Sequence, residues 1–398
     1  MSELRKVLHL DLDAFFCAVE AQRDPTLHGQ PFAVGGLPEE RGVVSSCSYA
    51  ARRFGVRSAM PMSQALRLCP ALRIVPGHHA LYEEISRQVM THLHNFTTLV
   101  EPISIDEAFL DLSDLRPTPE ALARELQSSL WDALALPASI GAATNKLVAK
   151  IANDVGKRQA IHHPSPNSVD APMAITVVPP GAEATFLAPL PMRALWGVGP
   201  KTAETLADLG LQTIGDLARW PADDLVRRFG QLGRELAQRA QGLDNRPVVT
   251  EQAIQSFSRE VTFARDVTAP AVLHRALVQL TQSVGWRLRQ AGLCAGTVKL
   301  KLRWADFTTL TRQVTLDAPT TEDQVILTAA QSLLAQTWRG QPVRLIGVGA
   351  SGLTAPAAQL SLWDATDTKG QRLQQALDEL RERYGAAVVR RASEVEPE

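Results

Sequence analysis

Cysteine is scarce in this chain. Four cysteines occur in 398 residues (Cys17, Cys47, Cys69 and Cys294), and no two have the CxxC spacing of a zinc knuckle or redox pair. That density excludes a disulfide framework and suits a reducing cytoplasm. An excess of one charge is also missing: 41 Lys plus Arg stand against 42 Asp plus Glu, for a formal net charge of −1. No apolar run approaches the roughly 18 residues that a membrane span needs. Acidic residues within about ten positions of Met1 leave no room for a secretory core segment. What remains is ordinary globular composition, 45 % hydrophobic and 21 % charged. At roughly 150 residues per domain, the length implies two to four domains. The expectation is a soluble, cytoplasmic, multi-domain protein.

Overall neutrality conceals an uneven distribution. Residues 1–139 carry 12 basic and 17 acidic groups, whereas residues 246–353 carry 12 and 7. Metal-holding carboxylates beside a phosphate-binding surface look like this, so the pattern permits a nucleic-acid partner without showing one. Val7 to Asp13 alternates in period two and reads as a strand ending in carboxylates, followed by a helix over 14–22. Short strands (32–35, 43–46) and helices (48–54, 62–68, 80–96) follow. Strands at 100–103 and 108–112 bracket Ser104-Ile-Asp-Glu107, then come helix 120–135, strand 138–143 and helix 145–155. Strands interleaved with helices in this order indicate an α+β fold. Residues 158–174 read as a loop and 180–242 as an all-helical module. From 246 onward the elements run βαββαβ, the ferredoxin-like arrangement. The pairs His78-His79 and His162-His163 read as surface loop residues.

Two acidic clusters carry the chemistry, Asp11 with Asp13 and Asp106 with Glu107. Each stands at a strand end inside an apolar stretch, where a carboxylate is costly to bury unless a cation or hydrogen bonds compensate. Carboxylates converging from neighbouring strands repel one another, and a hard divalent metal is the usual resolution. Taken alone, Asp11-Leu-Asp13 fits turn or cap acids equally well. A hydrophobic strand running into DxD also opens the haloacid-dehalogenase-like phosphatases. Those usually place Thr or Val two residues after the second Asp, where this chain has Phe15, and their chemistry gives Asp106 and Glu107 no role.

HLDLDAFFCAVE (9–20), SSCSYAARRFGVRSAMP (45–61) and Ser104-Ile-Asp-Glu-Ala-Phe109 together closely resemble the Y-family translesion DNA polymerases, most of all their DNA polymerase IV branch. The resemblance covers nearly the whole chain. It implies a right-handed polymerase of α+β class with a ferredoxin-like catalytic palm (1–22 and 78–168) and small fingers (23–77). A helical thumb with a helix-hairpin-helix (169–245), a βαββαβ little finger (246–353) and a tail (354–398) would follow. Asp11, Asp106 and Glu107 match the catalytic carboxylates, which with the main-chain carbonyl of Leu12 hold two Mg²⁺ ions; Asp13 matches a position that is not a direct ligand. Phe16 matches the steric gate, whose ring fills the space a 2′-hydroxyl would need. Tyr49, Arg52 and Lys157 match positions that grip the incoming triphosphate, and Ser46 adds a hydroxyl donor. Tyr49 and Arg52 lie at i and i+3 on one helix face, so both reach one phosphate chain. Arg53 and Arg57 read as solvated charges.

Further along, Leu195-Trp-Gly-Val-Gly-Pro-Lys-Thr-Ala-Glu-Thr-Leu206 resembles a helix-hairpin-helix. Gly197 and Gly199 would let backbone N–H groups approach a DNA phosphate at a helix N-terminus, with Lys201 and Thr202 as further contacts. Lys299, Lys301 and Arg303 share one strand face while Leu300 and Leu302 take the other; with Arg259 they are candidate contacts to a DNA backbone. Gln359-Leu-Ser-Leu-Trp363 resembles the bacterial sliding-clamp-binding pentapeptide through Gln359, Leu360, Leu362 and Trp363, with Trp where Phe is more usual. A eukaryotic clamp peptide has aromatics where Ala365-Thr366 stand.

The expectation is therefore a monomeric, Mg²⁺-dependent, template-directed DNA polymerase of low fidelity. Its partners would be primer–template DNA, dNTPs and a bacterial sliding clamp, with no membrane. The runner-up is a catalytically inert relative that binds DNA and clamp and recruits another polymerase. Such relatives lose the acidic residues, and here all three are present beside Phe16, Tyr49, Arg52 and Lys157.

Overall fold

A computed structural model describes residues 5–162, 171–356 and 368–384. The chain divides into two compact units, the first comprising the chain up to Gln252 except Glu39–Arg41, and the second comprising Glu39–Arg41 and the chain from Ala253 onward.

In the first unit, strands β1 (Val7–Leu12), β2 (Phe32–Gly35), β3 (Val44–Cys47), β4 (Arg73–Val75), β5 (Val100–Pro102), β6 (Glu107–Asp111), β7 (Ala138–Ala143) and β8 (Ile175–Val177) build two sheets. The larger is ordered β5-β6-β1-β7-β8 and the smaller β3-β2-β4. Strand β1 lies at the centre, antiparallel to β6 and β7. Its alternation sends Leu8, Leu10 and Leu12 to one side, into a core with Tyr82, Val89, Leu122 and Leu126. Val7 goes to the other side, joining Phe109, Leu147, Val148 and Ile151 of the helix Lys146–His162. His9 and Asp11 share that second side by the same alternation. The chain leaving β1 returns beyond β6, at β5, which produces the split βαβ pattern expected of a ferredoxin-like palm.

The helix after β7 is longer than the sequence suggests. An end at Val155, before glycine, was the natural reading, yet the helix continues to His162 and takes in the first residues of the expected loop. Gly156 is a close-approach residue rather than a stop, since a Cβ there would stand 2.0 Å from Thr176 Oγ1. At Gly141 on β7 a Cβ would lie 2.0 Å from the Ala149 carbonyl oxygen and 2.5 Å from the Asn153 nitrogen, so the helix rests on bare backbone. Its first turn is pinned by Lys146 Nζ on Glu101 Oε2 at 2.7 Å, a buried pair, and by Asp244 Oδ2 accepting from the Leu147 N–H. Helices Glu183–Leu187, Pro200–Asp208, Ile214–Arg219, Ala222–Phe229 and Gln231–Ala240 close around Leu206, Leu217, Leu225 and Leu236. Thr213 and Asp216 form a reciprocal capping box at the third of these.

The second unit has the expected element order: β9 (Ser256–Val267), helix Pro270–Gln290, β10 (Cys294–Trp304), β11 (Thr309–Thr320), helix Asp323–Thr337 and β12 (Val343–Thr354). Its pairing corrects the ferredoxin-like expectation. The order is β11-β10-β12-β9, all antiparallel, with the second and fourth strands inside instead of the first and third. Burial explains the choice. β10 and β12 carry Val298, Leu300, Leu302, Leu345, Ile346 and Val348 into the core, whereas β9 and β11 are polar along most of their length and take the edges. A last helix, Thr368–Tyr384, is joined to Pro270–Gln290 by Asp378 Oδ2 on Arg289 Nε at 2.5 Å. The pentapeptide 359–363 lies outside the described residues. Among the described residues no helix is long and apolar enough to cross a membrane.

Gly141→Ala should lower stability by about 1–3 kcal/mol, because the helix and β7 cannot both keep their places around a methyl group. Chemical denaturation checks this, and an unchanged midpoint would contradict the close contact.

Candidate active site

The register of β1 against β6 sets Asp11 directly opposite Glu107 and His9 opposite Phe109. The Leu12 N–H donates to the Asp106 carbonyl at 3.0 Å, so the ends of both acidic motifs meet across one pair of strands. Ser104 shapes the bend before β6. Its Oγ donates to Asp106 Oδ1 at 2.6 Å and accepts from the backbone N–H groups of Asp106 and Glu107.

Over this strand edge lies the polar stripe of Lys146–His162. Lys150, Asn153, Asp154 and Lys157 recur at i, i+3, i+4 and i+7, one face of a helix. Lys157 Nζ is 2.6 Å from Asp11 Oδ1 and 2.9 Å from Asp13 Oδ1, and Lys150 Nζ is 2.7 Å from Glu107 Oε2. Asn153 Nδ2 donates to His9 Nδ1 at 3.0 Å, which leaves the ring proton on Nε2, 3.5 Å from Glu107 Oε2. Burial holds His9 below its ordinary pKa, so the ring is neutral.

These surroundings drive the two facing carboxylates apart. Burial pushes Asp11 up to about 7 against the pull of Lys157. Burial acts on Glu107 in the same sense, but hydrogen bonds from His9 and Lys150 outweigh it and hold Glu107 at about 2. Burial likewise disfavours the Lys157 ammonium, and Asp13 and Asp11 reverse that, raising its pKa above the ordinary lysine value. Asp13 is fully buried and engaged on every side. Ser139 Oγ lies 3.0 and 2.9 Å from its two oxygens, the Met173 N–H 3.0 Å, and the Tyr49 hydroxyl 3.4 Å.

Among the described residues no three His, Cys, Asp or Glu side chains converge on one point as metal ligands. The reason is visible: Asp11 is turned to Lys157, Glu107 to Lys150 and Asp106 to Ser104. The donor set nevertheless fits a hard divalent cation. Asp11, Asp106, Glu107 and the Leu12 carbonyl offer oxygen only. Asp11 stays near 7 with a lysine in contact, so a buried carboxylate remains short of positive charge.

A polar cleft adjoins these groups, lined by Asp11, Leu12, Phe16, Ser46, Arg52, Asp106 and Lys157 together with Asp154. The chain turns into it through Ala14, whose φ of 48° is left-handed and starts the helix Phe15–Arg23. Phe16 stacks on Tyr82 with ring centroids 4.3 Å apart and meets the His79 ring edge-on at 5.9 Å. One turn along that helix, Glu20 accepts from the Tyr82 hydroxyl at 2.5 Å and meets His78 Nδ1 at 2.8 Å. His78 and His79 are both exposed, as expected of surface residues, and in addition His78 meets Glu20 and His79 meets the Phe16 ring at the start of the helix His79–His94. Ser48 caps the short helix Tyr49–Arg52, and the Arg52 guanidinium lies over the Tyr49 ring at 4.4 Å. Tyr49 does not line the cleft; its hydroxyl points to Asp13.

Elsewhere, Gly197 has a φ of 95° before the helix Pro200–Asp208, which Gly199 caps with open space beside its Cα. Lys201 is exposed and Thr202 half-buried on that first turn. In the second unit, Lys299, Lys301 and Arg303 share the open face of the sheet beside Gly349 and Gly347, with Lys301 bound to Glu260 at 2.7 Å. Arg259 is not with them. It pairs in register with Val348, on the sheet's other face. The sequence reading missed His9, Lys150, Asn153 and Asp154. The i, i+3, i+4, i+7 spacing was the available signal for the last three, and the alternation of β1 for His9.

Comparison with known proteins assigns residues 10–154 to the impB/mucB/samB family, residues 254–362 to that family's C-terminal domain, and residues 180–211 to the IMS family HHH motif. Among curated relatives, "DNA polymerase IV" of Desulfatibacillum aliphaticivorans is 40 % identical over 395 residues, covering 97 % of this chain and 96 % of the relative. "DNA polymerase IV" of Halorhodospira halophila is 39 % identical over 365 residues, 91 % of this chain and 99 % of the relative. Of solved structures, a "Y-family DNA polymerase chimera" aligns over 88 % of this chain and 100 % of its own with a TM-score of 0.74 at 23 % identity. DinB from Sulfolobus solfataricus aligns over the same shares with a TM-score of 0.60 at 24 % identity. At those identities the structural likeness is one of fold.

Proposed function

Because the chain belongs to the impB/mucB/samB family, we propose that it is a DNA-directed DNA polymerase, carrying out template-directed, low-fidelity synthesis of the kind that tolerates damaged bases. The observation that carries this reading is the facing of Asp11 and Glu107 across β1 and β6, with Asp106 beside Leu12 and a polar cleft alongside into which Arg52 and Lys157 bring positive charge. Primer–template DNA and dNTP are its substrates, and its catalysis depends on a divalent metal.

In finer detail, Asp11, Asp106, Glu107 and the Leu12 carbonyl would hold two Mg²⁺ ions, which would supply Lewis acidity to the transfer. The primer 3′-hydroxyl loses its proton to solvent, and its oxygen forms the new bond to the α-phosphorus as the bond to pyrophosphate breaks. Arg52 and Lys157 bind the triphosphate, the first as a fork and the second as a point charge, with Ser46 as a hydroxyl donor. Tyr49 braces this group from behind through Arg52 and Asp13 and reaches the phosphates only if its hydroxyl leaves Asp13. Phe16, braced by Tyr82, rejects ribose. Gly197, Gly199, Lys201 and Thr202 hold a DNA phosphate at a helix N-terminus, and Lys299, Lys301 and Arg303 track a backbone. Arg259, on the other sheet face, is not part of that track. Residues 359–363 dock on a bacterial sliding clamp. One copy contains every site residue, which suits a monomer, and four unpaired cysteines suit the cytoplasm. The inert-scaffold alternative has no observation in its favour.

Single-nucleotide insertion on an undamaged primer–template tests the reading. The wild type should insert the complementary dNTP and discriminate strongly against the matching ribonucleotide, and Phe16→Ala should raise ribonucleotide insertion by at least about tenfold, the ~1.4 kcal/mol scale of one lost steric rejection. No dNTP insertion by the wild type would reject the polymerase, and unchanged sugar discrimination in the variant would reject the gate. Deleting 359–363 should abolish stimulation by a bacterial clamp and spare basal synthesis; equal loss of both would contradict docking.

A further inference from the structure

Two lysines on one helix take the places where positive charge is needed at the carboxylates. Lys157 bridges Asp11 and Asp13, at 2.6 and 2.9 Å. Lys150 reaches Glu107 Oε2 at 2.7 Å, the same oxygen that His9 Nε2 faces at 3.5 Å. The two lysines differ in what they would keep after losing their carboxylate. Lys157 lines the cleft and retains fully buried Asp13 as a second anchor. Lys150 has Glu107, while the His9 Nε2–H beside it at 3.4 Å is itself a donor and cannot accept from the ammonium. The backbone beneath them has little freedom, because Gly141 and Gly156 bring the helix into contact with β7 and β8, and Lys146 is buried on Glu101. Any exchange of partners at Glu107 must therefore come from side-chain rotation, of the lysine stem or of Glu107 itself.

We propose that Lys150 is a placeholder cation: its ammonium neutralises Glu107 in the metal-free chain and must be displaced when a divalent cation binds, so that it competes with the metal. This rests on the reading of Asp11, Asp106 and Glu107 as the metal-holding set. Lys150 is then a positioning residue. It keeps Glu107 from being buried without a partner charge, and it sets how readily the site takes up metal before DNA or nucleotide is present. An ammonium and a dication on one carboxylate repel, so removing the ammonium favours the metal.

The test is Mn²⁺ binding to the full-length protein by titration calorimetry, without DNA or nucleotide, beside melting with and without Mn²⁺. Lys150→Met should bind Mn²⁺ roughly five- to tenfold tighter than the wild type and show a larger metal-induced rise in melting temperature. Lys150→Arg, which keeps a cation on Glu107, should retain wild-type affinity. Equal or weaker Mn²⁺ binding by Lys150→Met overturns the placeholder, and so does a lower melting temperature with an unchanged metal-induced rise. Asp106→Ala separates this from the underlying reading. If the wild type binds Mn²⁺ and Asp106→Ala binds it equally well, the metal-holding set is misassigned and both fall.

Discussion

The structure turns on one electrostatic constraint: carboxylates at the end of a central strand pair need positive charge, and one helix supplies it. Lys146, Lys150 and Lys157 meet Glu101, Glu107 and Asp11 with Asp13 along the length of Lys146–His162. Removing one member of a buried ion pair typically costs about 3–5 kcal/mol, since the other charge is left uncompensated. Such pairs bring little net stability over apolar packing, but they fix register, because a helix shifted by one residue would lose its contacts together. Gly141 and Gly156 make the approach possible. The same arrangement that lets the sheet tolerate its acids also brings together the oxygen groups proposed to hold a hard cation.

The nucleotide side of the cleft is organised by a different means. The left-handed turn at Ala14 lets the strand bearing Asp11 pass at once into the helix bearing Phe16, so two of the proposed metal-holding groups, Asp11 and Leu12, and the proposed gate share one short segment. Behind the proposed gate, Tyr82 and His78 are both hydrogen-bonded to buried Glu20, and the Phe16 ring stacks on the Tyr82 ring that this bond holds. Discrimination by steric rejection needs such backing, because a ring free to rotate aside would admit the larger sugar.

Much of this was legible in the residues. The period-two run Val7–Leu12, the acids at its end and the bend at Ser104 locate the paired strands, and the motifs around them give the family. The reach of the helix past Gly156 was not legible, because glycine marks both helix ends and close contacts, and only the neighbouring Thr176 distinguishes them. His9 and Lys150 escaped notice for a related reason: their significance lies in which carboxylate they meet across the sheet, and that depends on register. The second unit's sheet order was hidden in the same way, since βαββαβ is compatible with more than one pairing. Arg259 shows the limit of reading basic residues as a set, as one residue of register decides which face it takes.

The measurement closest to the central claim is primer extension in Mg²⁺ by the wild type beside Asp106→Ala, with circular dichroism and DNA binding confirming that the variant is folded. Asp106 is held by Ser104 rather than by a lysine, so its loss removes one of the proposed metal-holding carboxylates without leaving a buried ammonium unpaired. Extension that disappears in a folded, DNA-binding Asp106→Ala variant is the predicted result. Extension at the wild-type rate would contradict the assignment of these carboxylates as the reacting centre.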